Sequence, residues 1–175
     1  MMLGYLLARA AVEVLVLEKH ADFLRDFRGD TIHPSTLEIM SELGLLDEFL
    51  KRPHQELREL VGLIGEDRGV LADFSDLPTR CHFIAFMPQW DFLDFLADEA
   101  RTYPNFRLEM QAEVTDLVED SGTVTGVRAK VPDGTLDVRA DLVVGADGRH
   151  SAVRDIAGLE VDDLGAPMDA LWMRL

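Results

Sequence analysis

Asp141-Leu-Val-Val-Gly-Ala-Asp-Gly-Arg-His-Ser-Ala-Val-Arg154 is the stretch on which the fold turns. Leu142 to Val144 reads as a buried strand that enters a tight turn, and Asp147 stands at the turn's tip between Gly145 and Gly148. A helix is expected to begin near Ser151. A carboxylate held just past the carboxyl end of a strand lies where open α/β sheets bind ligands. It could accept hydrogen bonds from the hydroxyls of a ribose or a ribityl chain. Read alone, the same residues also suit a solvated Asp-Gly loop, since both residue types favour turns.

The opening residues narrow the choice. Met1 to Ala11 is mostly apolar and rich in helix formers, and Val12-Glu-Val-Leu-Val-Leu-Glu18 follows as a short β-rich run ending in an acid. In a dinucleotide-binding βαβ unit a first strand enters a glycine-rich turn, a helix follows, and the second strand ends in an acidic residue. That residue lies ~20 positions after the glycines and takes the adenosine ribose hydroxyls. Helix, strand and acid are present here, while the first strand and the glycine turn are not. The chain therefore reads as though it starts inside the helix of such a unit. A secretory signal is the competing reading of Leu3 to Ala11, but it lacks a basic start and Arg9 interrupts the apolar run. The run is also too short for a membrane span.

Bulk properties bound the function. A chain of 175 residues supports one domain with a real core. Its 47% hydrophobic content and mean hydropathy of +0.02 are those of a folded, globular protein. The 17 basic and 33 acidic residues leave a net charge of -16, a field that repels nucleic-acid backbones and anionic membranes. Any bound phosphate must then be held by backbone N–H groups or a particular arginine. Cys81 is the sole cysteine, which rules out an internal disulfide and fits a reducing, cytoplasmic setting. The five histidines show no ligand spacing, so no metal site is expected.

Periodicity orders the middle of the chain. Residues 19–33 form a polar connection, and Pro34 opens a helix carrying Leu37, Met40, Leu43 and Leu46 to about Leu50. Val61 to Ile64 and Cys81 to Phe86 are strand candidates, with residues 65–69 as a hairpin turn. A second helix opens at Pro88-Gln89 with Phe92, Leu93, Leu96 and Ala100 on one face. Phe106 to Met110, Glu113 to Val118, Thr123 to Val131 and Thr135 to Val138 read as strands, joined in part by turns at Ser121-Gly122 and Asp133-Gly134. Phe83, Phe86 and Trp90 are read as core. Mixed βα units interrupted by antiparallel pieces describe an α/β fold with a second sheet inserted.

With Glu18, Arg28-Gly29-Asp30, Gln89 and Gly145-Ala-Asp-Gly148 in this order, the chain resembles the aromatic-ring hydroxylases, FAD-dependent monooxygenases similar to para-hydroxybenzoate hydroxylase. The resemblance spans nearly the whole chain, and the turn at 145–148 with Arg149 to Arg154 is its specific part. It implies an FAD/NAD(P)-binding Rossmann-like domain with antiparallel β insertions and its first strand missing. The FAD-binding domain would be discontinuous, residues 1–56 and 88–160. Residues 57–87 and 161–175 would be partial strands of a substrate domain. By the same resemblance Glu18 would bind the adenosine ribose, and Arg28 would reach the flavin side or the pyrophosphate. Gln89 would bond the ribityl or phosphate region, while Asp147 with Gly148 would hold the ribityl-diphosphate segment. Arg149 and Arg154 are read as making structural contacts around the turn.

Departures from the family are equally visible. The phosphate-cradling glycine loop is missing, as is the second Gly-Asp motif, and Ala11 stands where these proteins often carry a glycine after the helix. In the family a reduced nicotinamide, NADH or NADPH, gives hydride to FAD, and dioxygen then delivers one oxygen atom to an aromatic or similar small molecule. No residue here offers itself as an acid, base or nucleophile, so no catalytic residue is assigned; the cofactor carries the chemistry. A non-catalytic nucleotide-binding or interaction module is the alternative. An NAD-dependent dehydrogenase is disfavoured by the antiparallel insert. Without the glycine loop's backbone donors, bonds of roughly 1.5–3 kcal/mol each where charge assists, this polypeptide is expected to hold FAD weakly. Passed through gel filtration after incubation with FAD, it should emerge colourless; a stoichiometric yellow complex would contradict that.

Overall fold

A computed structural model describes residues 1–24, 30–65, 67–162 and 164–165. In chain order the elements are α1 (Met2–Arg9), β1 (Val14–Glu18), β2 (Thr31–Ile32), α2 (Pro34–Glu42), α3 (Leu46–Phe49), β3 (Gln55–Leu57), β4 (Glu59–Ile64) and β5 (Asp67–Asp73). They continue with β6 (Ile84–Phe86), α4 (Gln89–Arg101), β7 (Phe106–Met110), β8 (Glu113–Asp120), β9 (Thr123–Val131), β10 (Gly134–Arg139) and α5 (Ala152–Ile156). The mixed α/β class expected from the sequence is what forms. The chain divides into two compact units, one of Met1–Asp22 with the chain from Ala100 onward, the other of Phe23–Glu99.

In the first unit β1 and β7 pair in parallel, with Val14 opposite Phe106 and Glu18 opposite Met110. Helix α1 lies against this pair through Gly4, Tyr5 and Ala8, all buried. The approach is close, because a Cβ at Gly4 would come within 2.8 Å of Val16 and 3.2 Å of Phe106. Asn105 fastens the same corner by donating to the carbonyls of Ala8 and Val12 at 3.0 and 2.6 Å. The β8–β9–β10 meander is antiparallel and buries Val127 and Ala129. Its first turn has Ser121 and Gly122 both at positive φ, 52° and 79°, which is the hairpin geometry that matches strand twist. Its second is tighter than expected: Val131 already pairs with Gly134, so Pro132 and Asp133 alone form the loop.

In the second unit β6 is the middle strand of the sheet β2-β6-β3. Phe49 is fully buried, with the rings of Phe92 and Phe95 5.5 and 5.2 Å away. Arg52 lies 5.2 Å over the Phe95 ring and pairs with Asp98 at 3.5 Å. Phe83 is buried as core, covered by Arg58 and stacked on His54. Cys81 is buried nearby, and burial, reinforced by Glu56, pushes its thiol pKa up. The β4–β5 hairpin stands apart from this core, with Leu63, Val70 and Leu71 exposed.

Three expectations are corrected. The helix from Pro34 breaks into α2 and α3, because Gly44 at φ +76° ends α2. The candidate strand Cys81 to Phe86 shortens to Ile84–Phe86. The strand expected at Leu142 to Val144 takes part in no ladder among the described residues, and Leu142 and Val144 are exposed rather than buried. Apolar, β-branched residues adopt strand structure when a neighbour supplies hydrogen bonds and cover, and no described strand pairs with this segment.

Three helix ends follow one rule. After α2 the Gly44 N–H donates to Ser41 and Leu45 N–H to Met40; after α5 Gly158 N–H donates to Asp155 and Leu159 N–H to Arg154. Helix α1 ends identically, Ala11 N–H to Ala8 and Val12 N–H to Leu7. This paired pattern places one residue in the left-handed region, normally a glycine. Gly44 and Gly158 meet that demand, whereas Ala11 sits at φ +61° with a Cβ. Ala11→Gly should therefore raise stability by up to about 1 kcal/mol, relief of left-handed strain exceeding glycine's entropic cost. Chemical denaturation would show a higher midpoint at unchanged slope, and a lower midpoint would refute the cap reading.

Candidate functional site

The turn after residue 144 is built by its own side chains. Gly148 takes φ +86°, a conformation that side chains disfavour. At Gly145 a Cβ would stand 2.9 Å from a Val153 methyl and 3.6 Å from Asp147 Oδ1. Asp147 then folds back on the start of α5. Its Oδ1 accepts from the Ser151 hydroxyl, and its Oδ2 accepts from the Val153 N–H at 3.2 Å. Ser151 is the N-cap of α5, and its Oγ accepts from the Arg154 N–H at 3.0 Å. Capping of this type is the usual employment of Ser before a helix.

The electrostatics follow from those donors. The little burial that Asp147 has pushes its carboxyl up, yet Ser151 and the backbone N–H groups of Val153, Asp147 and Ala152 outweigh that push. The net result lies below the ordinary carboxylate value, so Asp147 is ionised near neutrality. Arg154 braces the other side, donating through Nη2 to the Arg149 carbonyl at 2.8 Å and to Asp155 at 3.2 Å. Its Nε is buried and without a partner among the described residues.

The other expected site residues are distributed as follows. Glu18 ends β1, half-buried, with Oε1 accepting from the His20 N–H at 2.9 Å. The end of that strand is stapled by Ala112 N–H to the Glu18 carbonyl and Gln111 N–H to the His20 carbonyl, both 2.9 Å. Glu18, Asp147 and Gly148 belong to the same compact unit, where β8 touches both α5 and β1. Gln89 opens α4 in the other unit and its amide takes no partner among the described residues. Arg28 lies outside the described residues. A recess of about 450 Å³ lined by Thr123, Val124, Thr125, Arg139, Ala140 and Asp141 contains none of these residues. It is a dip at the end of the β-meander.

Ser151 and Val153 were not singled out from sequence as site residues. The signal was available: a Ser directly before a short helical run, four residues after the only acid of the turn, is a capping pattern.

The whole chain, residues 1–175, matches the model of the FAD binding domain family. The chain belongs to that family. Among curated relatives, a 6-methylpretetramide 4-monooxygenase of Streptomyces rimosus is 33% identical over 177 residues, covering 99% of this chain and 42% of the relative. A probable NADH-specific resorcinol 4-hydroxylase of Rhodococcus jostii is 30% identical, covering 94% of this chain and 32% of its own length. Among solved structures, p-nitrophenol 4-monooxygenase of Pseudomonas putida superposes with a TM-score of 0.79 at 25% identity, covering 91% of this chain and 40% of that one. The FAD-binding domain described here thus spans less than half the length of these proteins.

The residues present fit a dinucleotide. Gly148 holds a positive φ at the exposed turn, Arg154 keeps a buried donor unpartnered among the described residues, and Glu18 and Asp147 are acceptors suited to hydroxyls. The folded Asp147 pKa is depressed, so its contribution to stability is present above the unfolded value of ~3.9 and is lost as pH falls through the lower folded value. Asp147→Asn should cost about 1 kcal/mol or less at neutral pH, because the group is solvent-screened. Urea unfolding across pH should show the gap between the two proteins closing in the acid limb; a gap independent of pH would remove the carboxylate's role in the turn.

Proposed function

We propose that this chain is the FAD-binding portion of a flavin-dependent monooxygenase that hydroxylates an aromatic or related small molecule at the expense of NADH or NADPH. The observation that carries the proposal is the ionised, exposed Asp147 carboxylate fixed between two glycines at a helix start, in a chain of the FAD-binding family. Named relatives act on a pretetramide and, for one probable enzyme, on resorcinol. Bound FAD would supply the redox chemistry, taking hydride from the nicotinamide and using dioxygen to place one oxygen atom on the substrate.

What the chain contributes is binding and orientation. Glu18, at the end of a parallel strand, accepts from the adenosine ribose hydroxyls. Gln89, at the N-terminal end of α4, donates to the ribityl or phosphate region, where the helix end favours negative charge. Arg28 offers a planar fork suited to pyrophosphate. Asp147 and Gly148 hold the ribityl-diphosphate segment, the carboxylate serving as an acceptor for ligand hydroxyls. Residues 57–87 and 161–175 belong to the substrate side, and 1–56 with 88–160 to the cofactor side. A cytoplasmic setting suits the single free thiol. Among the described residues no helix is long and apolar enough to cross a membrane.

Titration of FAD against the chain, followed by flavin fluorescence, tests this assignment. Asp147→Ala should weaken binding about tenfold or more, the loss of a charge-assisted bond. Asp133→Ala, in the loop between β9 and β10, should leave binding unchanged. Equal effects of the two substitutions would remove Asp147 from the cofactor site.

A further inference from the structure

Ser151 is buried, 7% exposed. A serine hydroxyl has one donor and two lone pairs. An N-cap needs only a lone pair, which here accepts from Arg154 N–H. The donor is left over, and it is spent on Asp147 Oδ1. Val153 N–H takes Oδ2, so both carboxylate oxygens are pinned. Without those bonds the terminal torsion of an aspartate is broad and two-fold. The Val153 side chain closes over Gly145, so the residues that hold the carboxylate pack on the turn that carries it. Ser151 is buried while Asp147 is exposed.

We propose that Ser151 is a positioning residue: its hydroxyl fixes the Asp147 carboxylate in the orientation from which it meets the ribityl-diphosphate segment of FAD. This rests on reading the 145–148 turn as the flavin site. Ser151 touches no ligand itself. It acts through Asp147, and it links the start of α5 to the binding carboxylate, so capping and ligand orientation share one hydroxyl.

Capping and positioning separate in Ser151→Gly. Glycine is nearly as good an N-cap as serine, yet it has no hydroxyl to give Asp147. Ser151→Thr keeps the hydroxyl. In the full chain the Asp147 carboxyl, followed by carbon-13 NMR across pH, should titrate below the ordinary carboxylate range in the parent and in S151T. In S151G it should move upward. FAD affinity should fall about tenfold in S151G and stay within about twofold in S151T. In an Asp147→Asn background S151G should bring no further loss. An Asp147 titration unmoved by S151G, or losses that simply multiply in the double variant, would overturn the proposal. Failure of the flavin reading looks different: the parent chain then takes up no FAD at any concentration, whatever the NMR titration shows. If S151G does not fold, capping alone dominates and the proposal falls.

Discussion

The turn at 145–148 exists in its observed form because one carboxylate makes hydrogen bonds to the start of the next helix. Asp147 has two oxygens, and each finds a donor within six residues, from Ser151 and from Val153. That pair ties the turn to α5, while residues 142–148 lie outside any described ladder and are mostly exposed. The glycines on either side permit the geometry, and the carboxylate enforces it. The same ionised carboxylate that folds the turn is the group proposed to meet the cofactor.

The first unit is organised around a second constraint, the close seating of α1 on the β1–β7 ladder. Gly4 allows the helix to approach Val16 and Phe106, and Asn105 ties the helix end to the same corner. The consequence for function is positional. Glu18 ends β1, and its location is set by that ladder and by the staples from Gln111 and Ala112. The acid therefore rests on rigid secondary structure, while Asp147 rests on a turn that supports itself.

Much of this was legible in the residues. The helix formers of α1, the apolar face of α4, the strand runs of β7 to β9 and the Ser121-Gly122 turn are local signals, and the elements formed where they were placed. Leu37 and Met40 share the helical spacing of Leu43 and Leu46, but periodicity does not register Gly44, whose left-handed backbone ended the helix. Leu142 to Val144 misled for the opposite reason. A run of apolar β-formers states a preference, and only a neighbouring strand can fulfil it. The Gly-Ala-Asp-Gly turn was legible as a unit, whereas the hydroxyl that orients its acid was not. A side chain that donates four residues back leaves no periodic trace, and Ser151 by itself reads as an ordinary helix cap.

Cys81 has a practical consequence for anyone probing this molecule. Its sulfur is enclosed and its proton held more tightly than usual, so alkylating dyes at mild pH will find little thiolate to attack. A cysteine introduced at an exposed position could then carry a fluorophore or spin label almost without background. The parent chain is, in effect, already prepared for single-site spectroscopy.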